Sequence, residues 1–86
     1  MILTGKDGKE YNVEYAYAPT RDGRCVIQLL DEMTFPDAAS EFTGVENFHL
    51  SDPASGEMNF SGYTEIVSMR KNNAGINIQL IQPKGA

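Results

Sequence analysis

Several signals around Thr34 agree on the register of one helix, and they constrain the chain more than any other feature. Thr34 is a good N-cap, Pro36 falls in the first turn where a missing N–H is harmless, and Asp37 completes a Thr-x-x-Asp box. Met33 and Ala38 take the two ends of a hydrophobic staple. Phe35, Ala38, Ala39 and Phe42 then recur at helical spacing on one face, and Gly44 can close the helix in a left-handed conformation. A helix of about nine residues is too short to stand alone. The Phe35/Phe42 stripe is therefore expected to dock on a sheet, with Ala38 and Ala39 letting it lie close.

The residues on either side read as strands. Ile2 and Leu3 open the first, Gly5-Lys6-Asp7-Gly8 supplies hairpin turn chemistry, and Glu10 to Tyr17 forms the second. In that strand Tyr11, Val13, Tyr15 and Tyr17 alternate with Asn12, Glu14 and Ala16, which places the tyrosines on one face. Ala18 to Gly23 turns the chain back into Arg24-Cys25-Val26-Ile27-Gln28-Leu29-Leu30, mostly apolar on both faces like a central strand. After the helix, Val45 to Leu50 forms a fourth strand, with Phe48 and Leu50 on one face and His49 on the other. Glu57 to Met69 reads as one long strand whose inward set changes parity near Gly62, from Met58 and Phe60 to Tyr63, Val67 and Met69. A glycine there marks a bulge or bend that lets one strand serve two parts of a curled sheet. Arg70 to Gly75 is a turn, Ile76, Ile78 and Leu80 alternate with polar residues in a last strand, and Gln82 to Ala86 is expected to fray. The pattern predicts a single α+β domain over residues 1–86. Its sheet is small, curled and antiparallel, with about six strands in the order β-β-β-α-β-β-β, and one short helix packs on it or plugs one end.

Charge narrows the partners. Seven basic and twelve acidic side chains leave a net charge of -5, which opposes tracking along a nucleic-acid backbone. A small phosphorylated ligand needs only one or two well-placed cations and stays open. A domain this small has a thin margin of stability, so association into a homo-oligomer is expected. The single cysteine, Cys25, cannot close an internal disulfide, and with the single histidine, His49, it cannot complete a zinc set. No cofactor is implied. No stretch approaches the roughly 18 apolar residues of a membrane span, and Met1-Ile2-Leu3-Thr4 lacks the charged start of a signal peptide, so a cytoplasmic location is expected.

No nucleophile motif surrounds any serine or Cys25, and the lone His49 lies in a strand, so an enzyme is not expected. Asp31, Glu32, Asp37 and Glu41 gather near the helix start, where carboxylates are favoured, without the glycine-punctuated spacing of a calcium loop. No metal site is expected there. Arg21 and Arg24 flank one turn while Arg70 and Lys71 begin another, so two hairpin tips carry most of the positive charge. Such cations are ordinarily solvated; their other use is to hold a phosphate while neighbouring tyrosines stack a flat ring. Tyr15, Tyr17, Arg21, Arg24, Tyr63 and Arg70 are the candidate ligand-binding residues. The tyrosine rings have an alternative role, packing on the helix with their hydroxyls at the rim.

The opening Ile2-Leu3-Thr4 with its Gly/Asp turn, Tyr11-x-Val13-x-Tyr15, Asp37-Ala38-Ala39-x-x-Phe42, Gly62-Tyr63-Thr64 and Ile76-x-Ile78-x-Leu80 together span most of the chain. In these the chain resembles a loose group of short proteins encoded by bacteriophages and prophages of gut Firmicutes. Its first loop and its Asp52 to Gly56 loop are longer than in that group, so no binding residue is carried over. The resemblance implies a small non-enzymatic phage accessory protein acting in the host bacterial cytoplasm. Its expected role is counter-defence, either sequestering a nucleotide-derived immune signal or covering a host defence protein. The alternative is a virion part, such as a tail, connector or decoration protein.

Overall fold

Turn chemistry sets the first hairpin. In the computed structural model, which describes residues 1–83, Asp7 and Gly8 take φ values of 58° and 76° and fold β1 (Ile2–Thr4) onto β2 (Glu10–Tyr17). The remaining elements are β3 (Arg24–Leu29), α1 (Phe35–Phe42), β4 (Asn47–Asp52), β5 (Gly56–Ser61), β6 (Glu65–Asn72) and β7 (Gly75–Ile81). They form one antiparallel sheet of seven strands in the order β5-β4-β1-β2-β3-β7-β6. The last three residues of the tail expected to fray lie outside the described residues.

The extra strand comes from the long segment expected over Glu57 to Met69, which divides at the Gly62–Thr64 link into β5 and β6. These are the two edges of the sheet. A flat seven-stranded sheet would hold its edges about 29 Å apart, six spacings of roughly 4.8 Å. The four Cα steps from Ser61 to Glu65 can span no more than about 15 Å. The sheet must therefore curl until its edges meet at this end. Gly62, at φ 82°, makes the bend, and the hydrogen bonds Gly62 N–H to Glu46 O (2.9 Å) and Gly44 N–H to Thr64 O (2.9 Å) hold it.

Two bulges correct the alternation expected from the sequence. Val13 pairs with Leu29 but Tyr15 pairs with Gln28, so Glu14 is an extra residue in β2. Beyond it the inward residue is Ala16, while Tyr15 and Tyr17 turn outward, so the tyrosines of this strand do not share a face. A second shift, between Ile66 and Ser68, leaves Val67 exposed and turns Ile66 and Met69 toward the core. Each one-residue slip exchanges the two faces of the strand that follows.

The helix starts as its box requires, Thr34 Oγ1 accepting from Asp37 N–H at 3.2 Å, and ends with Gly44 at φ 77°. It buries Ala38 and Phe42 inside the curl, where Phe42 lies 4.8 Å from the Tyr11 ring and 5.9 Å from the Phe48 ring. Phe35 is exposed, contrary to the expected stripe, because it stands at the first helical position beside solvent. The core also takes in Leu3, Val13, Cys25, Ile27, Leu29, Leu50, Phe60, Ile76, Ile78 and Leu80. Phe42→Ala should lower unfolding free energy by about 3–5 kcal/mol in urea titration, whereas Phe35→Ala should change it by under about 1 kcal/mol.

Gly75 is the tightest point of the backbone. Its φ is 146°, and a Cβ there would stand 2.0 Å from the carbonyl oxygen of Leu29. Gly56, at φ 93°, has nothing within 4 Å of the same position. Gly75→Ala is expected to cost at least about 3 kcal/mol by urea denaturation, against about 1–2 kcal/mol for Gly56→Ala, which pays only for the positive φ.

Candidate functional site

The Glu14 bulge creates the surface of interest. Because it turns Tyr15 and Tyr17 outward, they join the outer sides of β3, β7 and β6, a four-strand face that α1 does not cover. Cross-strand pairing arranges it in rows. One runs Tyr15, Gln28, Asn77, Arg70; the next runs Tyr17, Val26, Gln79, Ser68; the third runs Arg24, Ile81, Glu65. Four of the six candidates read from the sequence thus share one face. Arg21 stands exposed in the turn before Arg24. Tyr63 does not join them: it is 8% exposed and packs in the core, so it is withdrawn as a ligand contact.

The aromatic part of the face is a pair, the Tyr15 and Tyr17 rings lying 5.8 Å apart at a 30° tilt. Tyr17 is 47% exposed. The centre is a network of amides. Gln28, 2% exposed, exchanges two hydrogen bonds with the Asn72 side chain, at 2.9 and 3.1 Å. Asn77 Nδ2 donates to Gln28 Oε1 at 3.2 Å and to the Tyr15 hydroxyl at 3.4 Å. These amides satisfy one another, so the face holds a polar centre without an orphaned group. Gln28 was visible in the sequence as the one uncharged polar residue in a mostly apolar strand, but its partners Asn72 and Asn77 lie far along the chain and nothing local connects them to it.

Arg24 and Arg70 bring charge to this face. Arg24 Nη1 donates to Gln79 Oε1 at 2.7 Å, which fixes the guanidinium over the sheet. Among the described residues the ion pairs within 4 Å are Lys9 with Glu41 and His49 with Glu57, so neither Arg24 nor Arg70 is neutralised by a carboxylate. Tyr15 and Arg70 are three strands apart, about 14 Å between backbones. An anion of modest size spans that distance.

The acids near the helix start are dispersed. Glu41 accepts from Lys9 Nζ at 2.7 Å and from the Tyr11 hydroxyl at 3.1 Å, while both Asp31 oxygens accept from Asn12. The Lys9 hydrogen bond holds the Glu41 carboxyl below its usual range, and burial followed by the Glu41 contact pushes Tyr11 up to about 12. Among the described residues no group of three or more His, Cys, Asp or Glu is placed to hold a metal ion. Cys25 is fully buried, and burial pushes its thiol up to about 12, so it is no nucleophile at neutral pH.

Two further features lie away from the tyrosine pair. A groove of about 560 Å³ opens between the β3–α1 corner, Leu30 to Thr34, and the β6–β7 turn, Lys71 to Ile76. On the outer side of the β4–β5 pair, His49 Nδ1 lies 2.9 Å from Asn59 Oδ1 and Nε2 lies 3.0 Å from Glu57 Oε1. Acceptors at both nitrogens favour the doubly protonated ring, and the Asn59 and then the Glu57 hydrogen bond raise its pKa.

Comparison of the chain with protein-family models, with curated proteins and with solved structures gives no match.

The His49 contacts give stability a pH dependence of definite sign. Since the folded pKa lies above the unfolded value of about 6.5, the contribution is complete below that pH and disappears as pH rises through the folded pKa. The melting temperature of the protein should exceed that of His49→Gln by a wider margin at pH 6 than at pH 9. An equal margin at both would remove the assignment.

Proposed function

We propose that this is a non-enzymatic, phage-encoded binding protein that sequesters a small nucleotide-derived anion, a counter-defence role in the host bacterial cytoplasm. One observation carries the reading: a tyrosine pair and two arginines without carboxylate partners among the described residues share an uncovered sheet face. Tyr17 and Tyr15 offer a flat apolar surface to a base, and Arg24 and Arg70 offer guanidinium forks to phosphate. The self-satisfied amides between them form a firm polar floor that needs no rearrangement when covered. The net charge of -5 disfavours long nucleic acids, whose affinity depends on many cations, and leaves a compact ligand with few charges as the fitting class. Sequestration by a homo-oligomer requires tight binding without turnover, and the burial of Cys25, which pushes its thiol up to about 12, supports that chemistry.

Native mass spectrometry of the purified protein with cyclic and ADP-ribose-type nucleotides tests the reading. The expected result is a discrete oligomer that gains nucleotide mass and releases the nucleotide unchanged on heating. Tyr17→Ala and Arg70→Ala, both at exposed positions, should each weaken binding at least about tenfold, a loss of about 1.4 kcal/mol, with melting temperature nearly unchanged. A protein that takes up no nucleotide, or that returns an altered one, overturns the proposal.

A further inference from the structure

The groove between the β3–α1 corner and the β6–β7 turn is separate from the tyrosine pair and unused by the reading above. Its apolar lining comes from Met33 and Leu30, the last 43% exposed, with the buried Ile76 beneath them. One lip carries Asp31 and Glu32; the other carries Lys71 and Asn73. Its volume of about 560 Å³ lies inside the range of ligand sites, roughly 300–1,000 Å³.

Both walls are fixed before anything binds. On the turn side, Asn72 Oδ1 accepts from Ala74 N–H and Gly75 N–H, each at 3.0 Å, and Gly75 sits against the Leu29 carbonyl with no room for a side chain. On the corner side, Asp31 is held by the backbone and side chain of Asn12, at 2.9 and 3.2 Å, and Thr34 is committed to capping α1. A preformed trough loses little entropy on binding. Two charges remain uncommitted on its lips, since neither Glu32 nor Lys71 has an ion-pair partner among the described residues. Asp31 and Asp37 deepen the negative potential on the Glu32 side, Asp37 lying in the first turn of the helix that Thr34 caps.

We propose that this groove docks a short extended segment of a partner protein, one that presents a basic side chain beside apolar ones. The basic group lies against Glu32, with Asp31 behind it. The apolar side chains rest on Met33 and Leu30, and Lys71 on the far lip takes main-chain carbonyls and so sets the direction of the segment. The trough is open between two chain segments, a shape that suits an extended chain better than a compact molecule. The acidic balance of the whole protein draws such a segment in and repels an acidic one.

The test uses the intact chain, a capped tetrapeptide acetyl-Leu-Arg-Leu-Ser-amide, and acetyl-Leu-Glu-Leu-Ser-amide as control, followed by amide chemical shifts in solution NMR. The arginine peptide is expected to shift Leu30 to Thr34 and Lys71 to Ile76, and Glu32→Lys, an exposed substitution, should weaken it at least about tenfold without altering the fold. The Arg70→Ala variant should bind the peptide normally, which separates this groove from the nucleotide face. The inference is overturned if the groove amides do not move, if shifts spread over the acidic surface and ignore Glu32→Lys, or if the glutamate peptide binds equally well.

Discussion

The three-residue link at Gly62 is the constraint on which the rest of the structure depends. It joins the first and last strands of the sheet order, so the sheet cannot lie flat. Once curled, it has an inside that a sheet of short strands would otherwise lack, and α1 can place Ala38 and Phe42 there. The link itself is tied on both sides, by Gly44 to Thr64, by Gly62 to Glu46 and by Gln82 Nε2 to Ser61 O at 2.8 Å. Closing the edges also limits how far a second chain could extend the sheet, the hazard of any open-edged β protein.

Much of this was legible in the sequence because it rests on local chemistry. The Thr34 box, the Asp7-Gly8 turn and the parity change at Gly62 each depend on a few adjacent residues with distinctive backbone preferences. The central position of β3 followed from apolar residues on both faces. Legibility failed where the structure depends on register. Tyr11-x-Val13-x-Tyr15-x-Tyr17 is an unbroken alternation, and nothing in it announces that Glu14 will be left over between the Val13–Leu29 and Tyr15–Gln28 pairs of the β2–β3 ladder. The same holds for Val67, an inward residue by pattern and an exposed one in fact.

The candidate site illustrates the same division. Arginine positions could be read because turns are local, but whether Arg24 and Arg70 share a face depends on β3, β7 and β6 lying side by side. Tyr63 misled for the opposite reason. The parity change at Gly62 already placed it inward, where it is found among the core residues, so its candidacy as a ligand contact went against the local pattern. The bulge that removed one tyrosine from the expected platform is also what exposed the other two. A strict alternation would have put Tyr15 and Tyr17 on the same side as Tyr11, where burial would have left them no role beyond packing.

Asn72 connects the two surfaces of this protein. Its carbonyl oxygen accepts from Gln28 in the centre of the tyrosine-bearing face and from two backbone amides that shape the wall of the groove. Gln28 in turn holds Asn77, which reaches the Tyr15 hydroxyl. A side chain so placed couples the two surfaces, because it is itself exposed yet ties the buried Gln28 to the backbone amides of the turn. Removing it would loosen the β6–β7 turn and the floor under Tyr15 together, so its loss could not tell one surface from the other. Arg70 and Glu32 sit outside that network, one on each surface, and they are the positions at which the two surfaces separate.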